Sequence, residues 1–162
     1  MRQSGILMHI TSLPSPYGIG TMGKAAYAFV DFLKSAGQSL WQILPLTPTG
    51  YGNSPYQSCS TFAGNPYLID LDMLIADGLL TKKDLEGYSW GEKADHVDFG
   101  LMYQNRWAVL KKAYERFEET EEYKADLEKF TLIMNDPKHA KDRAKATAYM
   151  AGKYGIVPKV IQ

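Results

Sequence analysis

Gly5-Ile6-Leu7-Met8-His9-Ile10 is a short, nearly continuous apolar run bounded by turn residues. Such a run suits a buried strand of a parallel sheet better than a half-exposed one. Leu13-Pro14-Ser15-Pro16-Tyr17-Gly18-Ile19-Gly20 follows, and its prolines and glycines read as a loop. Beyond it, Ala26, Phe29, Val30 and Leu33 fall at the spacing of one buried helix face, with Gly37 placed to cap the C-terminus. Ser39 to Leu46 predicts a second strand ending at Pro45. Strand, helix, strand in this order is a βαβ unit, which implies a parallel sheet and a right-handed crossover.

In parallel sheets, ligands collect at loops leaving the C-terminal ends of strands. One such loop carries His9, Thr11 and Ser12. The other runs from Gly50 to Leu68 and carries Tyr51, Tyr56 and Tyr67 among Asn53, Ser54, Gln57, Ser58, Ser60 and Asn65. A polyol site needs flat rings for C–H faces and short polar groups for hydroxyls, and this loop holds both. A surface loop whose Gly, Asn, Ser and Pro make turns and whose tyrosines dock it fits the same residues.

Downstream, Asp70 and Asp72 alternate with apolar residues on one face of a possible strand; a solvated or capping role suits them better than an acid/base pair. Thr81 reads as the N-cap of a short helix. Tyr103, Trp107, Leu110, Tyr114 and Phe117 predict an amphipathic helix packing into a core, flanked by Arg106, Lys111, Lys112 and Arg116. Tyr123, Leu127 and Phe130 predict a second helix, interrupted by Asp136-Pro137. Lys138 to Gly152 follows as an Ala-rich basic helix, with a thin apolar side of Ala140, Ala144, Ala148 and Ala151 near Tyr149 and Met150.

Eighteen basic residues balance eighteen acidic ones among 162, which argues against a general polyanion binder. Charge is unevenly spread, with about +4 from Thr131 onward. That basic stretch lacks stacking aromatics, so no nucleic-acid partner is expected. His9, His96 and His139 lie far apart and Cys59 has no neighbouring ligand type, so no metal site is expected. A single cysteine suits a reducing compartment, and neither a secretory signal nor a membrane-length apolar run is present; cytoplasm is the default.

Residues Arg2 to Leu74 resemble the start of a 4-alpha-glucanotransferase, the amylomaltase or disproportionating-enzyme family of the α-amylase superfamily. The resemblance is carried by Gly5-Ile6-Leu7-Met8-His9, Thr11-Ser12-Leu13-Pro14, Gly18-Ile19-Gly20, Ala36-Gly37-Gln38, Trp41-Gln42, Leu44-Pro45-Leu46 and Pro48-Thr49. Asn53-Ser54-Pro55-Tyr56-Gln57-Ser58, Phe62-Ala63-Gly64-Asn65-Pro66 and Leu68-Ile69 continue it. It implies an α/β fold, the N-terminal part of a TIM (β/α)8 barrel with a helical insertion. Residues 1–74 would form the first βαβ segment with the substrate loop, 75–130 the insertion, and 131–162 a divergent basic tail where the likeness ends.

The implied activity is transfer of an α-1,4-glucan segment between malto-oligosaccharides by a retaining double displacement, without a cofactor. Tyr56 resembles the ring lining the subsite of bond cleavage, Ser54 a hydroxyl partner of neighbouring glucose, and Tyr51 a stacking face farther along. Trp41, Gln42 and His9 are expected to be structural. The family's catalytic carboxylates sit on later strands, and a complete barrel needs roughly 200 to 250 residues. The barrel is therefore incomplete here, and the chain is expected to be truncated, inactive alone, and marginally stable or self-associating through open strand edges. The alternative is a noncatalytic glucan-binding fragment.

Overall fold

The computed structural model describes residues 2–50, 52–58, 60, 63–93 and 95–154. Strands β1 (Gly5–Leu7) and β2 (Leu40–Gln42) pair in parallel, Gly5 opposite Leu40, Ile6 opposite Trp41 and Leu7 opposite Gln42. Helix α1 (Lys24–Ser35) joins them in the expected strand-helix-strand order. It ends in a Schellman motif: Gly37 takes φ 69°, its N–H donates to the Lys34 carbonyl at 3.1 Å, and the Gln38 N–H donates to the Leu33 carbonyl at 2.9 Å.

Both strands are shorter than the sequence suggests, and β1 is exposed rather than buried. Met8 still donates to the Gln42 carbonyl at 3.0 Å, but Ile10–Ser12 then coils into a 3-10 turn. Among the described residues the sheet has two strands, so Ile6, Leu7 and Leu40 remain open to solvent. The buried apolar weight falls just beyond the strand ends, where Ile10, Leu13 and Leu68 pack with Met8, Phe29, Trp41, Ile43 and Leu46. Phe29 meets Trp41 edge-on at 5.0 Å, whereas Val30, expected on the same face, is exposed.

The chain divides into two compact units, Met1–Ala113 and Tyr114–Gln162. In the first, Leu71-Asp72-Met73 is helical, not extended. Helix α2 (Leu71–Ala76) starts at Asp70, whose Oδ1 accepts the Met73 N–H at 2.9 Å, the capping role raised above. Thr81 likewise opens a 3-10 turn (Lys82–Leu85), its N–H and hydroxyl both donating to Asp84 Oδ2 at 2.8 and 2.6 Å.

The next helix overturns the expected face. It begins as α3 (Phe99–Leu101), passes through a π-helical turn (Met102–Arg106) and continues as α4 (Trp107–Glu118). Tyr103, Trp107 and Tyr114 are exposed; Met102, Arg106, Val109 and Ala113 are buried. The buried set is the same helical spacing shifted by one residue. Val109 and Ala113 are small enough to let the backbone approach Leu71 and Leu80, which bulky rings would prevent. Arg106 hides this stripe in the sequence because a charge breaks its apolar run. The division between units falls inside α4, within the stretch 75–130 suggested as one insertion.

In the second unit, α5 (Glu121–Asn135) and α6 (Arg143–Tyr154) pack around Tyr123, Phe130 and Met150, with Phe117, Leu127, Ala146 and Tyr154 against them. The alanine stripe expected to form the apolar side of α6 is misplaced by phase: Ala140, Ala144 and Ala148 are exposed. Met150 and Ala146 take its place in the core.

Asp126 organises this unit's polar edge. Its Oδ2 accepts from Lys153 Nζ at 2.6 Å, Tyr154 Oη at 2.7 Å and Tyr149 Oη at 2.9 Å. Those bonds, from Lys153 first, hold its pKa near 2 against an ordinary 3.8. A depressed carboxyl stabilises the fold fully above its unfolded value and loses that contribution as pH falls through about 2. We expect the melting temperature of the native chain to exceed that of Asp126→Asn at pH 6, the gap closing between pH 4 and 2. A gap that does not narrow on acidification would dismiss the network.

Candidate functional site

The two loops leaving β1 and β2 are tied together at their roots. Trp41 Nε1 donates to the Met8 carbonyl at 2.7 Å, and the Leu44 N–H donates to His9 Nδ1 at 3.3 Å. An imidazole accepting at Nδ1 is neutral and carries its proton on Nε2; burial lowers the His9 pKa in the same sense. His9 and Trp41 thus fasten the loops, the structural roles expected of them.

The tyrosine loop is closed at its base by Asn65, whose N–H donates to the Leu46 carbonyl at 2.8 Å and whose Oδ1 accepts the Tyr67 N–H at 3.0 Å. Tyr67, grouped above with the site tyrosines, is turned inward instead. It is 8 % exposed and packs with Ile19, Met102 and Phe99, because a 3-10 turn (Pro66–Leu68) rotates it into the core. Ser54 and Tyr56 sit at the loop tip. Ser54 Oγ accepts the Tyr56 N–H at 3.3 Å and the Ser54 carbonyl accepts the Gln57 N–H at 3.2 Å, a tight turn that directly follows Asn53, whose φ is 55°. Tyr56 is 72 % exposed. Tyr51 and Cys59 lie outside the described residues.

A cleft of about 540 Å³ opens between the first rim loop and the segment Trp90–Val97, lined by Thr11, Ser12 and Ser15 facing Glu92, Asp95 and His96. Ser54 and Tyr56 lie outside its lining. Neither Asp70 nor Asp72 is a free acid or base. Asp70 caps α2 and accepts the Thr21 hydroxyl at 2.5 Å, while Asp72 accepts the Tyr17 hydroxyl at 2.5 Å. Burial first, then that bond, pushes the Tyr17 phenol up to about 12. Among the described residues, no three of His, Cys, Asp and Glu converge as metal ligands, and no helix is long and apolar enough to cross a membrane.

Sequence reasoning missed Arg106, the buried guanidinium beneath both loops. The signal was present: Met102, Arg106, Val109 and Ala113 share a helix stripe.

A parallel strand pair joined by a helix, with polar loops at both C-terminal strand ends, defines an α/β unit, and in sheets of that class ligands collect at such a rim. The model of the family described as 4-alpha-glucanotransferase matches residues 8–144. The 4-alpha-glucanotransferase of Streptococcus pneumoniae strain TIGR4 is 56% identical over 129 residues, 80% of this chain and 25% of its own. That of Clostridium butyricum is 48% identical over 147 residues, 91% of this chain and 29% of its own. Among solved structures, the amylomaltase from Streptococcus agalactiae in complex with acarbose superposes with a TM-score of 0.75 at 44% identity, covering 96% of this chain and 30% of that one. The chain belongs to the 4-alpha-glucanotransferase family. It spans about a quarter of the length of the curated relatives it matches. The family match continues past Thr131 to residue 144, so the likeness does not end where the composition turns basic.

Proposed function

We propose that this chain is the N-terminal portion of a cytoplasmic 4-alpha-glucanotransferase that moves α-1,4-glucan segments between malto-oligosaccharides. In this reading β1, α1 and β2 are the first βαβ segment of a (β/α)8 barrel, and the tyrosine loop is part of its glucan surface. The observation that carries the reading is the Tyr56 ring, held out into solvent from a turn that Ser54 locks, at the rim where ligands of such sheets bind. An exposed tyrosine ring offers a flat face to a sugar and has only two χ angles to fix on binding. Ser54 Oγ is already an acceptor for the Tyr56 N–H and keeps its own proton to donate to a glucose hydroxyl. Tyr51 supplies a second stacking face.

Retaining transfer needs a carboxylate that attacks the anomeric carbon and a carboxylic acid that protonates the departing oxygen; an acceptor 4-hydroxyl then displaces the enzyme. We assign those two roles to no residue of this chain. Its contribution is binding and exclusion of water around the acceptor.

Calorimetry with maltoheptaose tests the binding half. Tyr56→Ala is expected to weaken affinity about tenfold, roughly 1.4 kcal/mol, while Tyr56→Phe keeps most of it because the ring face remains. Unchanged affinity in both variants would remove Tyr56 from the site.

A further inference from the structure

Arg106 is 0 % exposed and occupies the last position of the π-helical turn. Nη2 donates to the Ile69 carbonyl, whereas Nε and Nη1 are buried without a protein partner. A desolvated, incompletely paired cation is costly to keep, and mutation to an apolar residue would often stabilise such a spot. Burial lowers its pKa to about 10, with Asp70 the leading opposing influence, so the group stays charged at neutral pH.

The carbonyl that this charge holds belongs to the Ile69–Asp70 peptide bond, and that segment reaches both rim loops. Ile69 and Asp70 directly follow the 3-10 turn that closes the tyrosine loop. Asp70 Oδ2 accepts the hydroxyl of Thr21, itself 3 % exposed and at the end of the first rim loop. The adjacent Met22 N–H donates to the Leu68 carbonyl at 2.9 Å, a second stitch between the same segments. At Gly23, an added Cβ would stand 1.9 Å from Asp70 Oδ2, so the carboxylate sits flush against the backbone leading into α1.

We infer that Arg106 is a positioning residue for glucan binding: from the π-turn it fastens the base of the tyrosine loop, and through Asp70 and Thr21 the end of the first loop. Ser54 and Tyr56 are thereby presented from a fixed base. This rests on the glucan reading above, and two measurements separate the two.

Amide exchange reads the fastening without any ligand. In Arg106→Met and Thr21→Val, exchange at Met22 and Asn65 should accelerate about tenfold or more relative to Val109→Ala. That control trims the same helix face, in the cluster with Leu71 and Leu80, and removes no hydrogen bond to either loop; urea is added to bring all variants to equal global stability. Maltoheptaose affinity should fall about tenfold in the first two variants and stay at the native value in Val109→Ala, with Arg106→Lys recovering part of it. Should Arg106→Met fail to fold, Thr21→Val and Arg106→Lys carry the comparison. Exchange unaltered in both loops overturns the fastening, and faster exchange with native affinity overturns the positioning role. A native chain that binds no maltoheptaose sinks the glucan reading and the positioning role together, while the exchange data still decide whether the fastening exists.

Discussion

Gly18→Ala is expected to destabilise the first unit by about 4 kcal/mol, enough to leave a marginal domain largely unfolded in mild urea. Two penalties act at once. Gly18 holds φ 74°, where a side chain costs roughly 1–2 kcal/mol. The added Cβ would also stand 1.9 Å from the Trp90 carbonyl oxygen and 2.9 Å from its carbon. Those are backbone atoms with no rotamer to escape into, so the first rim loop and the Trp90–Val97 segment must separate, adding about 1–3 kcal/mol. Gly64→Ala is the control, since among the described residues nothing lies within 4 Å of its Cβ position, and it should shift stability by less than about 0.5 kcal/mol. Urea melts followed by tryptophan fluorescence report both, and equal midpoints for the two variants would mean that the loop and Trp90 do not touch. The consequence reaches the rim, because Gly18 and Trp90 both line the cleft together with Ser12, Asp95 and His96.

The strand-helix-strand order was legible because each piece carries a local cause. The first apolar run is bounded by turn residues and the second ends at Pro45, Phe29 and Leu33 share a helix face, and Gly37 caps it. Helix existence was legible too, but helix phase was not. For α3 and α4 the aromatic stripe through Tyr103, Trp107 and Tyr114 outweighed the correct one because Arg106 interrupts the latter, and the partner that accepts its guanidinium, the Ile69 carbonyl, is a tertiary one. In α6 the alanines matched the period equally well; Met150 won by bulk against Tyr123 and Phe130, a contact no local window contains. Strand burial failed for a related reason. A run such as Ile6-Leu7 signals an intended covered face, but coverage depends on what packs there, and among the described residues both remain open.

The rim was partly legible in the same way. Turn residues around Ser54 and Tyr56 announced a loop, and the family motifs gave those residues roles. The 3-10 turn at Pro66–Leu68 buries Tyr67, whereas Tyr56, in the separate turn at the loop tip, stays in water. Asp70 shows the limit most clearly. One carboxylate caps a helix, holds Thr21 and stands next in the chain to the carbonyl that a buried guanidinium holds, and only the first of these is written in its neighbours.

Leu71→Ala should lose about 3–5 kcal/mol, because the side chain is 0 % exposed in a cluster with Leu80, Val109 and Ala113. Helix α2 is only six residues long and cannot stand without tertiary support, so a void under its first turn weakens the whole element rather than one contact. Leu132→Ala, at a leucine 62 % exposed in α5, should change stability by no more than about 0.5 kcal/mol. Urea midpoints give the two numbers, and a loss below about 1 kcal/mol at Leu71 would remove α2 and α4 as the core of the first unit. The two substitutions differ in burial and not in chemistry. Because Asp70 immediately precedes Leu71, loosening α2 also frees its cap and the Thr21 bond. Maltoheptaose at a hundred times its dissociation constant should therefore return about 2.7 kcal/mol to native and variant chains alike only if the rim still assembles in the variant. A smaller return in Leu71→Ala places the lost packing and the loosened binding surface in one cooperative unit.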